Sequence, residues 1–326
     1  MAMLSRVAEH LYWMSRYLER AESTARLISA HGSVALDLPK HARPGWASII
    51  SITGNDPLFY ENYPDPGEKH VISFMLVDER NPGSIISSIR YARENARTIR
   101  DIIPREAWEQ INELFLKARA SLTAGISIKH RYDHLDQVIL AVHQIAGILA
   151  GGMSHDASYE FVRLGRNLER ADMTTRIVDV RSLGMNTDRA ESLKPFENIL
   201  WMSVLKSLTA YQMYRRHLQA NVTRKGVLQF LLQDPQFPRS FRFCLSEVRS
   251  CLMGLPRHEL PLGHLGKLEK EVESLSPATW GPEELPKIID ELQIHLDQVH
   301  SAIVSTYFEC PESSPSVPLL HQKQAS

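Results

Sequence analysis

The sequence is poor in cysteine and has no excess of charge of either sign. Its 326 residues include three cysteines and no CxxC pair, which excludes a disulfide framework and a thiolate zinc site. Lys plus Arg (37) nearly cancel Asp plus Glu (38), so no overall positive field attracts nucleic acid or an anionic membrane. We therefore expect no nucleic-acid partner, and any anion site must be local.

Targeting and membrane signals are missing from the pattern as well. The opening MAMLSRVAEHLYWMSRYLER lacks the uninterrupted apolar core of a signal peptide. No stretch approaches the roughly 18 apolar residues that a membrane span needs. We expect a cytoplasmic protein without a membrane partner, with a disordered tail over 311–326 because that segment is rich in proline, serine and polar residues.

No recognised catalytic motif occurs in the chain: GxxxxGK[ST], GxGxxG and HExxH are all missing. Ser154, His155 and Asp156 are residue types of a catalytic triad, but neighbours in sequence cannot form its relay. His130 and His134 have a spacing that could hold a metal, yet His134 fits a helix start better. The sequence therefore predicts no metal and no cofactor, and leans towards a protein that is not an enzyme.

What the sequence does contain is a long internal repeat. The stretch MSRYLERAESTARLIS, which includes Glu19, returns 150 positions later as LGRNLERADMTTRIVD, which includes Glu169. Three further pairs follow in the same order, with offsets that grow slowly to 161: GWASII and LWMSVL, VISFMLVDERNPGSI and VLQFLLQDPQFPRSF, and HLDQV twice. Four matches in one order predict an internal duplication.

Both copies have helical periodicity. In the first motif the apolar residues recur at steps of three and four, which builds one apolar stripe on a helix; they are Met14, Leu18, Ala21, Ala25 and Ile28. Ser84 and Ser240, each two residues after a proline, are predicted helix caps. The predicted fold is an all-α, internally duplicated bundle with about six helices per copy, the first repeat spanning 1–154 and the second 155–310.

The charged residues of the first motif lie opposite its apolar stripe at 100° per residue. Three interpretations are open: a solvated face, a structural network, or a ligand site. In the network, the two motif helices would run antiparallel about a pseudo-twofold axis and exchange ion pairs. In the ligand site, guanidinium groups would bind a carboxylate or phosphate. The candidate residues are Arg16, Glu19, Arg20, Arg26, Arg166, Glu169, Arg170 and Arg176.

A second basic cluster lies in YARENARTIR, where Arg93, Arg97 and Arg100 share a side of a predicted helix. The corresponding segment of the second copy, FCLSEVRSCLMG, does not repeat it. Either a solvated helix face or a contact with a phosphate or a partner would explain this stripe. It is too small for binding duplex nucleic acid.

Three segments together resemble the bacterial alpha-E family of helical proteins: YLERAESTARLI, SIRYARENARTIRDIIPREAWEQIN and LGRNLERADMTTRIVDVR. The resemblance places the family's Glu-Arg motif on Glu19–Arg20 and Glu169–Arg170. It implies, as partners, a circularly permuted ATP-grasp protein and a transglutaminase-like peptidase in a peptide or amide-ligation system, and it carries over no catalytic residue. The expected function is a non-catalytic accessory or docking module. The alternative is an enzyme or small-ligand-binding protein with an Arg/Glu site between the two Glu-Arg helices.

Overall fold

The computed structural model describes residues 5–39, 42–43, 45–124, 131–183, 194–218, 221–277, 279–281 and 283–309. The predicted all-α class is confirmed, since no strand occurs in these ranges. The first half contains seven helices: α1 (Ser5–Asp37), α2 (Ala47–Thr53), α3 (Asp56–Asn62), α4 (Glu68–Leu76), α5 (Ile85–Thr98), α6 (Arg105–Ala124) and α7 (Arg131–Gly152). The second half contains seven more: α8 (Ala157–Leu183), α9 (Glu197–Ser207), α10 (Tyr211–Leu218), α11 (Arg224–Gln233), α12 (Phe241–Met253), α13 (Glu259–Ser274) and α14 (Glu284–Tyr307).

Each half therefore has seven helices in the described residues, not about six. The surplus lies in short helices such as α2 and α3, seven residues each, which are too short to give a periodic pattern. Gly54 separates them: its φ of +68° ends α2 in a left-handed cap that favours glycine. Residue 154, near which the boundary is predicted, lies in the connection from α7 to α8, and the boundary stays a prediction. The tail predicted to be disordered lies outside the described residues.

The two predicted serine caps are confirmed. Ser84 Oγ accepts a hydrogen bond from the Ser87 amide at 3.2 Å, at the start of α5. Ser240 Oγ accepts one from the Phe243 amide at 3.1 Å, at the start of α12. Each cap satisfies one of the backbone N–H groups that a helix start leaves without a partner.

The two long motif helices, α1 and α8, pack against each other at the centre of the molecule. Gly165 lies against Tyr12 and Ser15, and four residues further on Glu169 lies against Arg16 and Arg20. Later residues of α1 therefore contact later residues of α8, so the two helices run parallel. The predicted antiparallel arrangement is wrong. Either direction would bring residue 19 close to residue 169, so the sequence repeat alone did not distinguish them.

The remaining helices surround this pair in corresponding ways. Helices α5 and α7 pack on α1, and their counterparts α12 and α14 pack on α8. Helix α9 of the second half packs on α1, while α2 of the first half packs on α8. One hydrophobic core contains residues of both halves, so the halves share an interior. Origin by duplication stays a prediction.

Helix α7 corrects one expectation from the sequence. By length and composition it is the one helix among the described residues that could cross a membrane. The core helix of a soluble protein passes the same test, so a single such helix is weak evidence. In this structure α7 packs on α1 and α6 and buries a stripe that includes Leu135, Val142 and Leu149.

Candidate functional site

The carboxylate of Glu169, in the middle of α8, is fully buried and bound by two arginines of α1. Arg16 Nε donates to Oε2 at 2.7 Å, while Arg20 donates from Nε to Oε1 at 2.5 Å and from Nη2 to Oε2 at 3.0 Å. Burial alone would raise the pKa of Glu169, but attraction and hydrogen bonds from Arg20 and Arg16 outweigh it and lower that pKa well below its usual range. Glu169 is therefore held ionised inside the protein.

Glu19 of α1 makes the reciprocal pairing with the other helix. Arg170 Nε donates to Glu19 Oε1 at 2.8 Å, which mirrors the bond from Arg20 to Glu169. A second donor to the same oxygen is Arg239 Nη1, also at 2.8 Å. The two Glu-Arg pairs therefore cross-link α1 and α8, each glutamate binding the arginine of the opposite motif.

Arg239 continues the network to a third carboxylate. Its Nη2 donates to Glu22 Oε1 at 2.8 Å, and Arg26 Nε donates to the same oxygen at 2.7 Å. His143 Nε2, from α7, lies 2.8 Å from it as well. Burial would raise the pKa of Glu22, but Arg239, His143 and Arg26 lower it far below its ordinary value. Glu22 thus joins α1, α7 and the connection between α11 and α12.

The interpretation of these charges as a solvated face is wrong. Glu19 is 2% exposed, and Glu22 and Glu169 are 0% exposed. The reason is that α1 is packed on several sides, by α5, α7, α8 and α9, so its charged face meets protein instead of water. Buried charges persist only when they are paired and hydrogen-bonded, and these carboxylates are.

Arg166 is the sequence-predicted residue that the network leaves out. The repeat makes Arg166 the counterpart of Arg16, so it would be expected to bind Glu19 as Arg16 binds Glu169. Arg239 binds Glu19 instead. Arg166 Nε is buried and has no hydrogen-bond partner among the described residues. Burial and the neighbouring charge of Arg170 lower the pKa of Arg166. The symmetry of the ion pairs therefore breaks at this position.

Arg166 borders a small cavity between α1, α7 and α8. The volume is about 30 Å³, room for about one water molecule. Glu19, Glu22, His143 and Arg170 also line it. A cavity of this size excludes a peptide or an amino acid as an occupant.

The last two predicted residues make shorter-range pairs. Arg26 binds Glu22 of its own helix, and Arg176 Nε donates to both oxygens of Asp172 at 2.9 Å, four residues before it in α8. Asp172 is the counterpart of Glu22. Gly83 stands where the second half has Arg239, so among the described residues this connection supplies no arginine to Asp172. The eight predicted residues thus lie along one helix pair, and seven of them are in ion pairs.

Sequence reasoning missed three contributors from outside the motifs, namely Arg239, His143 and the pair of Tyr12 with His300. Tyr12 Oη lies 2.8 Å from His300 Nδ1 and accepts a hydrogen bond from Arg16 at 3.2 Å. Burial raises the pKa of Tyr12 to about 12, and burial with the nearby Arg16 charge lowers that of His300 to about 4. For Arg239 the sequence did offer a signal, because this arginine stands between a proline and a capping serine where the first copy has a glycine. The other residues had no such signal.

The other sequence candidates have local structural roles. Arg93 donates to Asn112 at 2.8 Å and lies 4.9 Å from the ring centre of Phe115, so this arginine fastens α5 to α6. Asp156 accepts from the Ser158 amide at the start of α8, and the His155 ring stacks on Tyr159 at 4.2 Å. His130 lies outside the described residues, within which no group of three metal-binding side chains occurs.

Comparison with protein families finds one family model that matches almost the whole chain. Residues 3–308 match the Alpha-E model, described as a predicted alpha-helical domain with a conserved ER motif. The chain belongs to the Alpha-E family. In this Alpha-E protein the Glu-Arg dipeptides Glu19–Arg20 and Glu169–Arg170 are the ones that bind each other across the central helix pair.

Curated relatives of this Alpha-E protein include two mycobacterial proteins that are named as uncharacterized. Proteins Rv2567 of Mycobacterium tuberculosis and Mb2597 of Mycobacterium bovis are each 23% identical to it over 284 residues. The match covers 77% of this chain but 30% of each relative, so the chain spans about a third of their length. No solved structure matches it.

Proposed function

We propose that this Alpha-E protein is a non-catalytic helical accessory module that docks onto an ATP-grasp protein of a peptide or amide-ligation system. The observation that carries the proposal is that the residues of the two Glu-Arg motifs form ion pairs with one another. Three buried glutamates bind arginines of neighbouring elements, and the adjoining cavity holds about one water. Such a network suits the locking of two halves in register and supports a structural role for the Glu-Arg motif.

The docking partner in this proposal comes from the family resemblance, which is an association and not a contact. A transglutaminase-like peptidase is the second partner that the resemblance implies. The length of the mycobacterial relatives is compatible with this view, since the matched region is 30% of each and the helical module is there one part of a longer protein. ATP-dependent partners would place the protein in the cytoplasm.

We also propose that the two halves arose by duplication of one seven-helix unit. Support comes from the ordered sequence repeats and from the corresponding packing of α5 and α7 on α1 and of α12 and α14 on α8. The reciprocal bonds from Arg20 to Glu169 and from Arg170 to Glu19 have the same origin in this view.

The docking proposal is tested by co-purifying the full chain with a circularly permuted ATP-grasp protein from the same organism. We expect a complex at micromolar concentrations. Lysine substitutions at widely exposed apolar residues, such as Leu140 (66% exposed) and Met253 (64%), should map the docking face, because a buried lysine in an interface is strongly unfavourable. Lack of association of the folded wild-type protein, checked by circular dichroism, would refute the proposal.

A second candidate function, a small-ligand site between the Glu-Arg helices, is favoured by one observation. Five arginines (16, 20, 26, 170 and 239) bind three glutamates (19, 22 and 169), and Arg166 adds a further positive charge beside the cavity. The site could take a water-sized anion. Chloride should then raise the melting temperature at constant ionic strength, and Arg166→Gln should abolish that rise. An equal rise in the variant would exclude this site, and turnover in an amidase or transferase screen would favour an enzyme.

A further inference from the structure

The connections before α5 and α12 correspond in sequence but differ in one respect. Asp78 and Asp234, which lie 156 positions apart, each follow a helix and are each buried, at 8% and 6% exposure. Each uses Oδ1 to accept a backbone N–H two residues later, from Arg80 at 3.0 Å and from Gln236 at 2.8 Å. The two carboxylates therefore occupy equivalent places in the two halves.

In the first half the carboxylate of Asp78 is fully occupied by side chains of its own chain. Arg80 binds it with two parallel hydrogen bonds, from Nε to Oδ1 at 2.9 Å and from Nη2 to Oδ2 at 2.7 Å. Tyr63 Oη donates to Oδ2 at 2.9 Å, and the guanidinium lies 5.9 Å from the Tyr63 ring centre. Arg80 Nη1 also donates to Asn62 Oδ1. This is a complete guanidinium site.

In the second half the same carboxylate faces an open pocket. Asp234 Oδ1 accepts from the amides of Gln236 and Phe237 at 2.8 and 2.7 Å. Oδ2 accepts no hydrogen bond from the described residues, and Nε2 of the half-exposed His217 imidazole lies 3.6 Å from it. The pocket has a volume of about 440 Å³, and its lining includes Asp234, His217, Arg216, Gln236, Phe230 and Phe237.

Substitutions at the positions of the first-half partners explain the opening. Gln236 stands where the first half has Arg80, and its amide is too short and uncharged to replace a guanidinium. At the offset of the Trp46 and Trp201 pair, Leu218 takes the place of Tyr63. The second half thus keeps the acceptor of the site and lacks the cation.

We propose that the Asp234 pocket binds the guanidinium group of an arginine side chain supplied by a peptide or protein, in the place that Arg80 fills in the first half. Asp234 would accept the bidentate hydrogen bonds, the geometry that favours arginine over lysine. Phe230 and Phe237, whose rings stack at 4.9 Å, form an apolar wall for the side-chain stem and the guanidinium plane. The site does not depend on the accessory role proposed above.

Charge at the rim refines the ligand class. Arg216 lines the pocket on the exposed side of α10, where it opposes a bare cation but can bind a carboxylate. A C-terminal arginine offers both groups, whereas an internal arginine offers the guanidinium alone. The proposal concerns binding of the guanidinium group. Whether that group belongs to a C-terminal or an internal arginine is decided by comparing ligands with and without a free carboxylate.

The test is a calorimetric titration of the full chain with three probes: Nα-acetyl-arginine amide, Nα-acetyl-arginine with a free carboxylate, and Nα-acetyl-lysine amide. We expect saturable 1:1 binding of both arginine probes and weaker binding of the lysine probe. Tighter binding of the free carboxylate would identify a C-terminal arginine as the ligand. No saturable binding of either arginine probe, or equal binding of lysine, overturns the proposal.

The decisive variant is Gln236→Arg, which supplies the pocket with its own guanidinium. It should fold normally, because Arg80 occupies the equivalent place, and should weaken arginine binding by about 10- to 100-fold, the loss expected for charge-assisted hydrogen bonds. Asp234→Asn should cause a similar loss, and Asp78→Asn, the matched change in the first half, should leave binding unchanged. Undiminished binding to folded Gln236→Arg would refute the assignment.

Discussion

Gly165 of α8 lies directly against the backbone carbonyl of Tyr12 in α1. A Cβ atom at Gly165 would come closer to that oxygen and to Ser15 Oγ than real Cβ atoms come to any neighbour. Ser15 is the counterpart of Gly165 in the repeat, so equivalent positions of the two motifs meet here. The missing side chain lets the parallel helices approach closely enough for Arg16 to reach Glu169.

We expect Gly165→Ala to destabilise the protein by about 1–3 kcal/mol, because the added methyl group overpacks the contact with α1 backbone, which cannot move alone. Gly147→Ala is the matched control, since it lies in α7 with nothing within 4 Å of its added Cβ. That change should stabilise by about 0.5–1 kcal/mol through helix propensity. Urea unfolding followed by circular dichroism measures both, and a stabilising Gly165→Ala would contradict the close approach.

Removing the charge of Glu169 should be strongly destabilising. Glu169→Gln leaves Arg16 and Arg20 without their carboxylate in a buried site, for which we expect a loss of about 3–5 kcal/mol. Glu94→Gln breaks ion pairs with Arg93 and Arg97 on the surface and should cost about 0–1 kcal/mol. Equal unfolding midpoints for the two variants would show that the buried network contributes no more than a surface pair.

Arg239 should be essential to stability although the sequence repeat does not contain it. Arg239→Met removes the donor that Glu19 and Glu22 share, and we expect a loss of about 3–5 kcal/mol because two buried carboxylates lose a partner. Arg242→Met, an exposed arginine paired with Glu273, should change stability by less than about 1 kcal/mol. Thermal unfolding with both variants tests this, and a melting temperature for Arg239→Met equal to wild type would refute it.

Acid should weaken the fold through His300. Its pKa is lowered from 6.5 to about 4 in the folded protein, so between these values the unfolded chain binds the proton more readily than the folded one. The contribution of the neutral His300 ring to the free energy of unfolding is therefore complete above pH 6.5 and is lost as the pH falls towards 4. The other titratable or charged groups that act on this ring are Tyr12, Arg16, Arg20, Glu169 and Asp297.

The measurement is the free energy of unfolding in urea at a series of pH values from 7 to 4. His300→Asn, which keeps an amide near Tyr12 but does not titrate, should flatten the decline in this window. His155→Asn is the control, because His155 is exposed in the connection before α8. A decline unchanged by His300→Asn would assign the acid sensitivity to other groups.

The sequence predicted the local structure well where periodicity was long. The apolar stripe from Met14 to Ile28 is fully buried, as expected, and both serine caps lie where the pattern placed them. The short helices α2 and α3 were missed because seven residues contain fewer than two full turns of pattern. Local rules of this kind operate within one element and need no tertiary information.

The candidate site was predicted in its members but not in its environment. The repeat identified both Glu-Arg pairs, yet a helical wheel could not tell that other helices cover the polar face of α1 as well as the apolar one. Arg239 and His143 were missed because they approach from connections and helices far away in sequence. Long-range pairing of this kind leaves no periodic signal.

By itself, the sequence determined an all-helical chain with repeated motifs, because hydrophobic periodicity, capping residues and repeats can be recognised in consecutive residues. Tertiary structure alone decided that α1 and α8 run parallel, that their glutamates are buried, and that Asp234 lies in a pocket beside His217. The physical reason is that burial and pairing depend on which distant side chains arrive at a surface. For Glu19 and Asp234 those side chains are Arg239 and His217, and neither follows from the local pattern.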